Sequence, residues 1–276
     1  MRRRSRSIRS STVCAGNTWR RRLKEERGHN GRRSALEITF LGSGNAFAAD
    51  GRYWSSFLVD KKYLFDAPPT LLPHLKQLRV PLPDIEVIFL THHHGDHFMG
   101  VPFLFLEYLY MTERSNDLYI VGPPGVREWI EDFADRCYPN ITRDAGYRRI
   151  YVDAVPRKQQ QAGAISFWSV PMNHVKESME AFGYRAKING KTVAYTGDTM
   201  FCDEIIELAD GSDIFVVDCT YNEGCGPEHM GLDDVKVIRK RIAPETMMVL
   251  THLGGQPHLD GLPNVVSAAD LKTFRF

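Results

Sequence analysis

One short segment restricts the fold of this chain more than any other. Thr91-His92-His93-His94-Gly95-Asp96-His97 reads H-x-H-x-D-H and directly follows the apolar run Val87-Ile88-Phe89-Leu90. Imidazole and carboxylate are ligands for zinc and other divalent transition metals, and alternate residues on a loop can converge on neighbouring ions. His92 and His94 can face one metal, and Asp96 and His97, one step round the turn, can face a second. A tag-like or surface histidine run is the plain alternative. An internal position straight after a strand argues against it.

More candidate ligands follow, each just past a predicted strand. Asn173-His174 comes after the alternating run Ile165 to Val170, and Thr196-Gly197-Asp198-Thr199 after Thr192-Val193-Ala194-Tyr195. Leu250-Thr251-His252 closes Met247-Met248-Val249 and repeats the Leu90-Thr91-His92 phrase. Loops at strand ends are where a rigid sheet gathers side chains from distant parts of a chain. His29, His74 and His258 lack that context and read as surface or core histidines. His93 should point away from the metals, because neighbouring loop residues diverge.

With these phrases the chain resembles metallo-β-lactamase-fold hydrolases, and within them the ribonuclease Z-like branch. The resemblance rests on the motif together with Leu41-Gly42-Ser43-Gly44, His174 followed by Phe182-Gly183-Tyr184-Arg185, and Thr196-Gly197-Asp198-Thr199. Asp218-Cys219-Thr220-Tyr221 and Leu250-Thr251-His252-Leu253 add to it, so that it runs from Leu36 to Phe276. It implies a four-layer αββα sandwich whose two halves give ligands to a shared seam. His92, His94 and His174 would bind one divalent ion; Asp96, His97 and His252 would bind the second; Asp198 would bridge. Zinc suits the donors, and manganese or iron are compatible.

The resemblance also implies a reaction. A hydroxide bridging two ions attacks an ester, since one zinc already lowers a water pKa to about 7. Asp96 orients the nucleophile or takes its proton. His229, in Pro227-Glu228-His229-Met230, stands where the branch carries a histidine that protonates the leaving group. The branch continues His-Ser-Thr, whereas Met230-Gly231 follow here. Asp218 would support a ligand histidine from behind. Arg52 lies near the place of a branch arginine that meets substrate phosphate, with a structural ion pair as the alternative.

Substrate size follows from a short connection. Ribonuclease Z enzymes that mature tRNA insert a long clamping arm between the counterparts of Arg185 and Thr196, but Ala186 to Tyr195 allows just a tight Asn189-Gly190 hairpin. A small phosphodiester, cyclic or nucleotide-derived, fits better than tRNA. Two other readings stay open: a carboxylic ester, lactone or thioester hydrolase on the same two metals, and a non-catalytic RNA-binding relative. A homodimer is compatible with the sequence.

Charge is unevenly distributed. Residues 1–35 hold eleven Arg, one Lys and two Glu, a formal +10 in a chain of net +1, so the remainder is acidic. An acidic body suits duplex or tRNA binding poorly, since phosphate contacts need clustered Lys and Arg. The segment has little apolar periodicity and reads as a disordered basic extension ahead of a hydrolase domain over 36–276. A misassigned start belongs to the same plain reading; an organelle transit peptide and an RNA-binding arm are the lesser alternatives. Five scattered cysteines without a C-x-x-C pair suit a reducing, cytoplasmic setting. No apolar run reaches the roughly 18 residues of a membrane span.

Remaining elements follow from periodicity. Val126, Trp129, Ile130 and Phe133 form an i, i+3, i+4, i+7 face expected to lie in the core. Val101 to Met111 reads as a buried helix beside the site. Asp153 to Gly163, polar and Gln-rich, is expected to be a loop.

Overall fold

The computed structural model describes residues 35–175 and 178–276; the basic N-terminal segment expected from the sequence lies outside them, apart from Ala35. Ala35–Phe276 forms one compact unit. Two seven-stranded sheets face each other with helices outside, giving the expected αββα layers. Among the described residues, no helix is long and apolar enough to cross a membrane.

The first sheet contains β1 (Glu37–Gly42), β2 (Ser56–Val59), β3 (Tyr63–Phe65), β4 (Val87–Phe89), β5 (Leu118–Gly122) and β6 (Arg149–Asp153) in chain order, with β14 (Lys272–Arg275) beside β1. The second runs β7 (Gln159–Ala162), β8 (Ile165–Pro171), β9 (Phe182–Ile188), β10 (Lys191–Tyr195), β11 (Ile214–Asp218), β12 (Met247–Thr251) and β13 (Val265–Ser267). Each sheet begins antiparallel and ends parallel. The parallel steps are β3 to β6 in one sheet and β10 to β13 in the other. Parallel strands present all their C-terminal ends on one side, and those loops are where ligands meet.

Aromatic rings fill the space between the sheets. On the first sheet Phe57, Phe65 and Phe89 stack in turn, with centroids 4.6 and 4.8 Å apart. Tyr195 and Phe167 of the second sheet meet this ladder edge-on at 5.1 and 5.4 Å. Edge-to-face contact sets the negative ring face against the positive edge and adds roughly 0.5–1.5 kcal/mol per pair beyond area burial.

Outside the first sheet lie α1 (Leu71–Gln77), α2 (Gly95–Phe98), α3 (Val101–Tyr110) and α4 (Val126–Cys137); α5 (Glu204–Ala209) and α6 (Leu232–Arg241) cover the second. The apolar periodicity of α4 is partly misleading. Val126 and Ile130 are buried, but Trp129 is 51% exposed and stacks on His93 instead of entering the core. A second difference is β7: the Gln-rich segment expected to be a loop is an edge strand paired with β8. An edge strand open to water on one side needs no apolar alternation, so its polarity hides it. The Asn189-Gly190 hairpin forms as expected. Lys191 pairs with Ile188, and both turn residues take positive φ, 47° and 78°.

Candidate metal centre and active site

Five strand ends converge on the site. The H-x-H-x-D-H loop leaves β4; His174 follows β8, Asp198 follows β10, Asp218 ends β11 and His252 follows β12. Crossing hydrogen bonds lock these loops together. Tyr184 donates its hydroxyl hydrogen to Leu90 O at 2.8 Å, and Phe182 N–H donates to Thr91 O at 2.9 Å, tying the second sheet to the end of β4. Asn173 N–H donates to Thr199 Oγ1, while Thr199 N–H donates to Asp218 Oδ2. His252 takes φ 57°, left-handed backbone uncommon for a residue with a side chain and often found at functional sites.

The expected ligands fall into two adjoining groups. His92 Nε2 and His174 Nε2 lie 3.0 and 3.2 Å from His94 Nδ1. Asp96, His97, Asp198 and His252 form the second group. Asp198 Oδ2 is 3.2 Å from both His97 Nε2 and His252 Nε2, and 3.8 Å from His92 Nε2. Asp198 therefore stands between the groups, where a bridging carboxylate belongs.

Hydrogen bonds on the outer side of the rings select their tautomers. Thr91 Oγ1 is a donor to Asp66, so it accepts from His92 Nδ1–H at 2.9 Å and leaves His92 Nε2 as an inward lone pair. His174 donates Nδ1–H to Glu228 O at 3.0 Å, and His97 donates Nδ1–H to Asp66 Oδ2 at 2.8 Å. His252 donates Nδ1–H to Thr220 Oγ1, which in turn donates to Asp218 Oδ1. Lone pairs thus converge on a common space. Within it, His97 Nε2, His252 Nε2 and Asp198 Oδ1 are buried without a hydrogen-bond partner. Buried polar atoms left unpaired are costly, and divalent cations would satisfy all three. The donor set fits such ions.

Electrostatics agree with that fit. Burial, reinforced by His97, pushes His92 well below the ordinary histidine pKa, and burial with His174 lowers His94, so both are neutral as ligands require. For Asp198, burial opposes ionisation, but His252 and His97 override it and hold the carboxylate well below the usual range. His97 carries a proton in the absence of a cation: burial opposes the charge, yet Asp198, Asp96 and Asp66 outweigh it. A cation bound there takes the place of that proton.

His229 stands at the edge of the second group. Its Nδ1 donates to Asp218 Oδ2 at 3.0 Å, and its ring stacks on His252 with centroids 4.8 Å apart. Burial lowers its pKa, but the Asp218 hydrogen bond and charge prevail and bring it up to about 9. Buried Met230 anchors the loop in the outer core, which gives a local reason for departing from His-Ser-Thr. His229 and His252 line a cavity of about 230 Å³ together with Asn45, Phe47, Thr220 and Tyr221.

Asp218 reaches His252 through Thr220 and His229 directly, so it supports two histidines. Arg52 gives Nη1 to Ser43 Oγ and Nη2 to Gln256 Oε1, both neutral acceptors, and its buried Nε has no partner. Among the described residues it forms no ion pair within 4.0 Å, so the alternative reading of Arg52 as half of a structural ion pair is not supported. His93 turns from the metal groups as expected and stacks on Trp129 at 4.7 Å.

Sequence reasoning missed Asp66, Thr91, Thr220 and Tyr195 as supports. Asp66 is fully buried and accepts from Thr91 N–H, Thr91 Oγ1–H, His97 Nδ1–H and Tyr195 O–H. The signal was present, since Asp66 closes an apolar strand as Asp198 and Asp218 do.

Comparison with known proteins places this site in a family. A ribonuclease Z of Listeria monocytogenes (strain HCC23) is 27% identical over 200 residues, 64% of this chain and 62% of that protein, so the chain spans about three-fifths of its length. A ribonuclease Z of Staphylococcus epidermidis (strain RP62A) is 22% identical over 296 residues, 86% of this chain and 94% of its own. Among solved structures, the metallo-β-lactamase fold protein YhfI from Bacillus subtilis superimposes with a TM-score of 0.71 at 20% identity, over 88% of this chain and all of that one. The family model described as Anti-Pycsar protein Apyc1 matches residues 36–260. That match spans most of the chain, every strand-end ligand loop and His229, and the chain therefore belongs to the Anti-Pycsar protein Apyc1 family, on a metallo-β-lactamase fold of the ribonuclease Z-like kind.

Proposed function

We propose that this metallo-β-lactamase-fold hydrolase is a phosphodiesterase acting on small diesters, with two divalent cations held side by side. The observation that carries the proposal is Asp198, a carboxylate within 3.2 Å of two ligand histidines of one group and 3.8 Å from a third in the other. His92, His94 and His174 would hold one cation, and Asp96, His97 and His252 the other, with Asp198 common to both. Zinc is the favoured ion. When bound, such a pair lowers the pKa of water and offsets negative charge on phosphate oxygens.

The chain's own residues do the rest. Asp96, half-buried beside His97 and His252, orients the attacking water and accepts its proton. His229 holds a proton on Nε2, because Nδ1 is committed to Asp218, and delivers it to the leaving oxygen. Arg52, held by Ser43 and Gln256 through its two Nη groups and without an acidic partner, supplies positive charge for a substrate phosphate. A cavity of about 230 Å³ and a two-residue hairpin in place of an arm favour a small diester over tRNA. The ribonuclease Z relatives add to the case for phosphoryl chemistry.

The test compares hydrolysis of bis(p-nitrophenyl) phosphate, p-nitrophenyl acetate and a lactone on one preparation of measured metal content, with Asp198→Ala as control. Diester turnover with about two metals per chain, abolished in the variant, is the expected result. Turnover of the acetate or the lactone alone would overturn phosphodiester specificity and favour an acyl substrate.

A further inference from the structure

His94 differs from the other proposed ligand histidines. His92, His97, His174 and His252 each commit Nδ1–H to an outer acceptor, respectively Thr91 Oγ1, Asp66 Oδ2, Glu228 O and Thr220 Oγ1. Such partners fix the orientation of a ligand ring, and their loss weakens a metal site. His94 turns Nδ1 towards His92 and His174, and among the described residues its side chain has no hydrogen bond outside that group. It is also half-buried, whereas His92 and His174 are enclosed, so packing restrains its ring least of the three. Something other than a hydrogen bond has to fix it.

The preceding residue supplies the restraint. His93 points the other way, and its ring stacks on Trp129 of α4 with centroids 4.7 Å apart and planes 19° from parallel. Phe98 meets both rings edge-on, 5.9 Å from His93 and 6.3 Å from Trp129, and packs against Phe133 at 5.0 Å. Phe98 ends α2, so the cluster grips the motif loop on both sides of His94 and anchors it to α4. Stacked and edge-to-face arrangements are the favourable ones for aromatic rings. His93 takes part as a flat ring and not as a polar group, because its Nε2 is buried without a hydrogen-bond partner. Trp129 stays 51% exposed, so its place on His93 is poorly explained by burial in the core. We propose that Trp129 is a positioning residue for the metal centre: its stack on His93 fixes the peptide that carries His94 and stands in for the outer hydrogen bond this ligand lacks. This inference rests on the two-cation reading of the site and is independent of the substrate. Its consequence is selective. The cation of His92, His94 and His174 depends on the stack, whereas that of Asp96, His97 and His252 depends on Asp66 and Thr220.

The experiment loads the full-length protein with zinc and follows transfer of the metal to a chromogenic chelator over a chelator series, with circular dichroism as the check on folding. Wild type is expected to hold two zinc ions. Trp129→Leu keeps apolar bulk but removes the flat face, and it should weaken one of the two on the order of 2- to 13-fold, the range that a single aromatic contact supports. Trp129→Phe should restore the affinity. His93→Phe keeps a ring and removes the orphaned nitrogen, so it should hold both ions as wild type does, while His93→Ala should behave like Trp129→Leu. Combining Trp129→Leu with His252→Ala should preserve the loss, and combining it with His174→Ala should abolish it, because only the first leaves the His94 group intact. Unchanged zinc affinity in Trp129→Leu overturns the proposal. So does equal weakening of both ions, which is the mark of a generally loosened fold. Loss of an ion in His93→Phe would show that the imidazole itself is needed. Fewer than two zinc ions on wild type would count against the two-cation reading, a failure visible before any variant is made.

Discussion

Asp66 Oδ2 lies 2.8 Å from His97 Nδ1, and the same carboxylate holds Thr91, one residue before His92, and Tyr195 at the end of β10. One buried group therefore orients proposed ligands on the motif loop and ties the two sheets together beside the candidate metal centre. Asp66→Asn keeps the shape but replaces one carboxylate oxygen with an NH₂ donor, so the four existing donors cannot all be served. Loss of such an outer partner weakens metal binding by about 10- to 100-fold. Competition with a chromogenic chelator should show that loss for the folded variant. Wild-type affinity would remove Asp66 from the site's machinery.

The Asp218–His229 pair makes a pH prediction. Burial disfavours the charged ring, but Asp218 overcomes this and raises the pKa to about 9. His229 therefore keeps its proton through neutrality and loses it as pH rises. If it protonates the leaving group, kcat falls on the alkaline side with an apparent pKa at or below 9, since cations at Asp198 pull the value down. Asp218→Asn removes the raising charge and should move that limb to lower pH. A profile from pH 6 to 10 on bis(p-nitrophenyl) phosphate measures both. An alkaline limb that does not move in the variant would exclude His229 as its source.

The proposed ligand set was readable because its members lie on loops that leave apolar strands, a pattern that survives in one dimension. His92, His174, Asp198 and His252 could be ordered along the chain before any geometry was known. Asp66 follows the same rule but supports ligands without being one, and nothing local separates the two roles. Trp129 shows the limit of helical periodicity. Its place on the α4 face predicted burial, but the ring stacks on His93 and stays half exposed. Residues Gln159 to Ala162 hid a strand because edge position removes the apolar alternation that marks one.

Two glycines separate backbone strain from crowding at the site. Gly197 precedes Asp198 with φ 61°, and an added Cβ would sit 2.7 Å from Thr91 Cβ and Cγ2. Gly190, in the hairpin turn, has φ 78° with open space around it. Gly190→Ala should cost about 1–2 kcal/mol from left-handed backbone alone. Gly197→Ala adds overpacking of roughly 1–3 kcal/mol, and it pushes Thr91 away from Asp66 and His92. Denaturant unfolding should rank the two variants in that order, and reduced metal content should accompany Gly197→Ala alone. Equal destabilisation would mean that the contact with Thr91 relaxes without cost.

Cys219, next to Asp218, invites a redox reading that the structure opposes. The residue is buried, and burial together with the Asp218 and Asp234 charges pushes its thiol up to about 12. A thiol is nucleophilic and oxidisable as its thiolate, so at pH 7.5 Cys219 is almost wholly inert. Cys225, six residues on in the loop leading to His229, is exposed. Brief treatment of folded protein with iodoacetamide, followed by peptide mass spectrometry, should label Cys225 and leave Cys219 unmodified until denaturant is added. Exposed Cys137 will label as well, so a loss of activity is assigned to Cys225 and the His229 loop where Cys225→Ser abolishes it. Native-state labelling of Cys219 at a comparable rate would show that β11 opens at its site end, contrary to the packing described here.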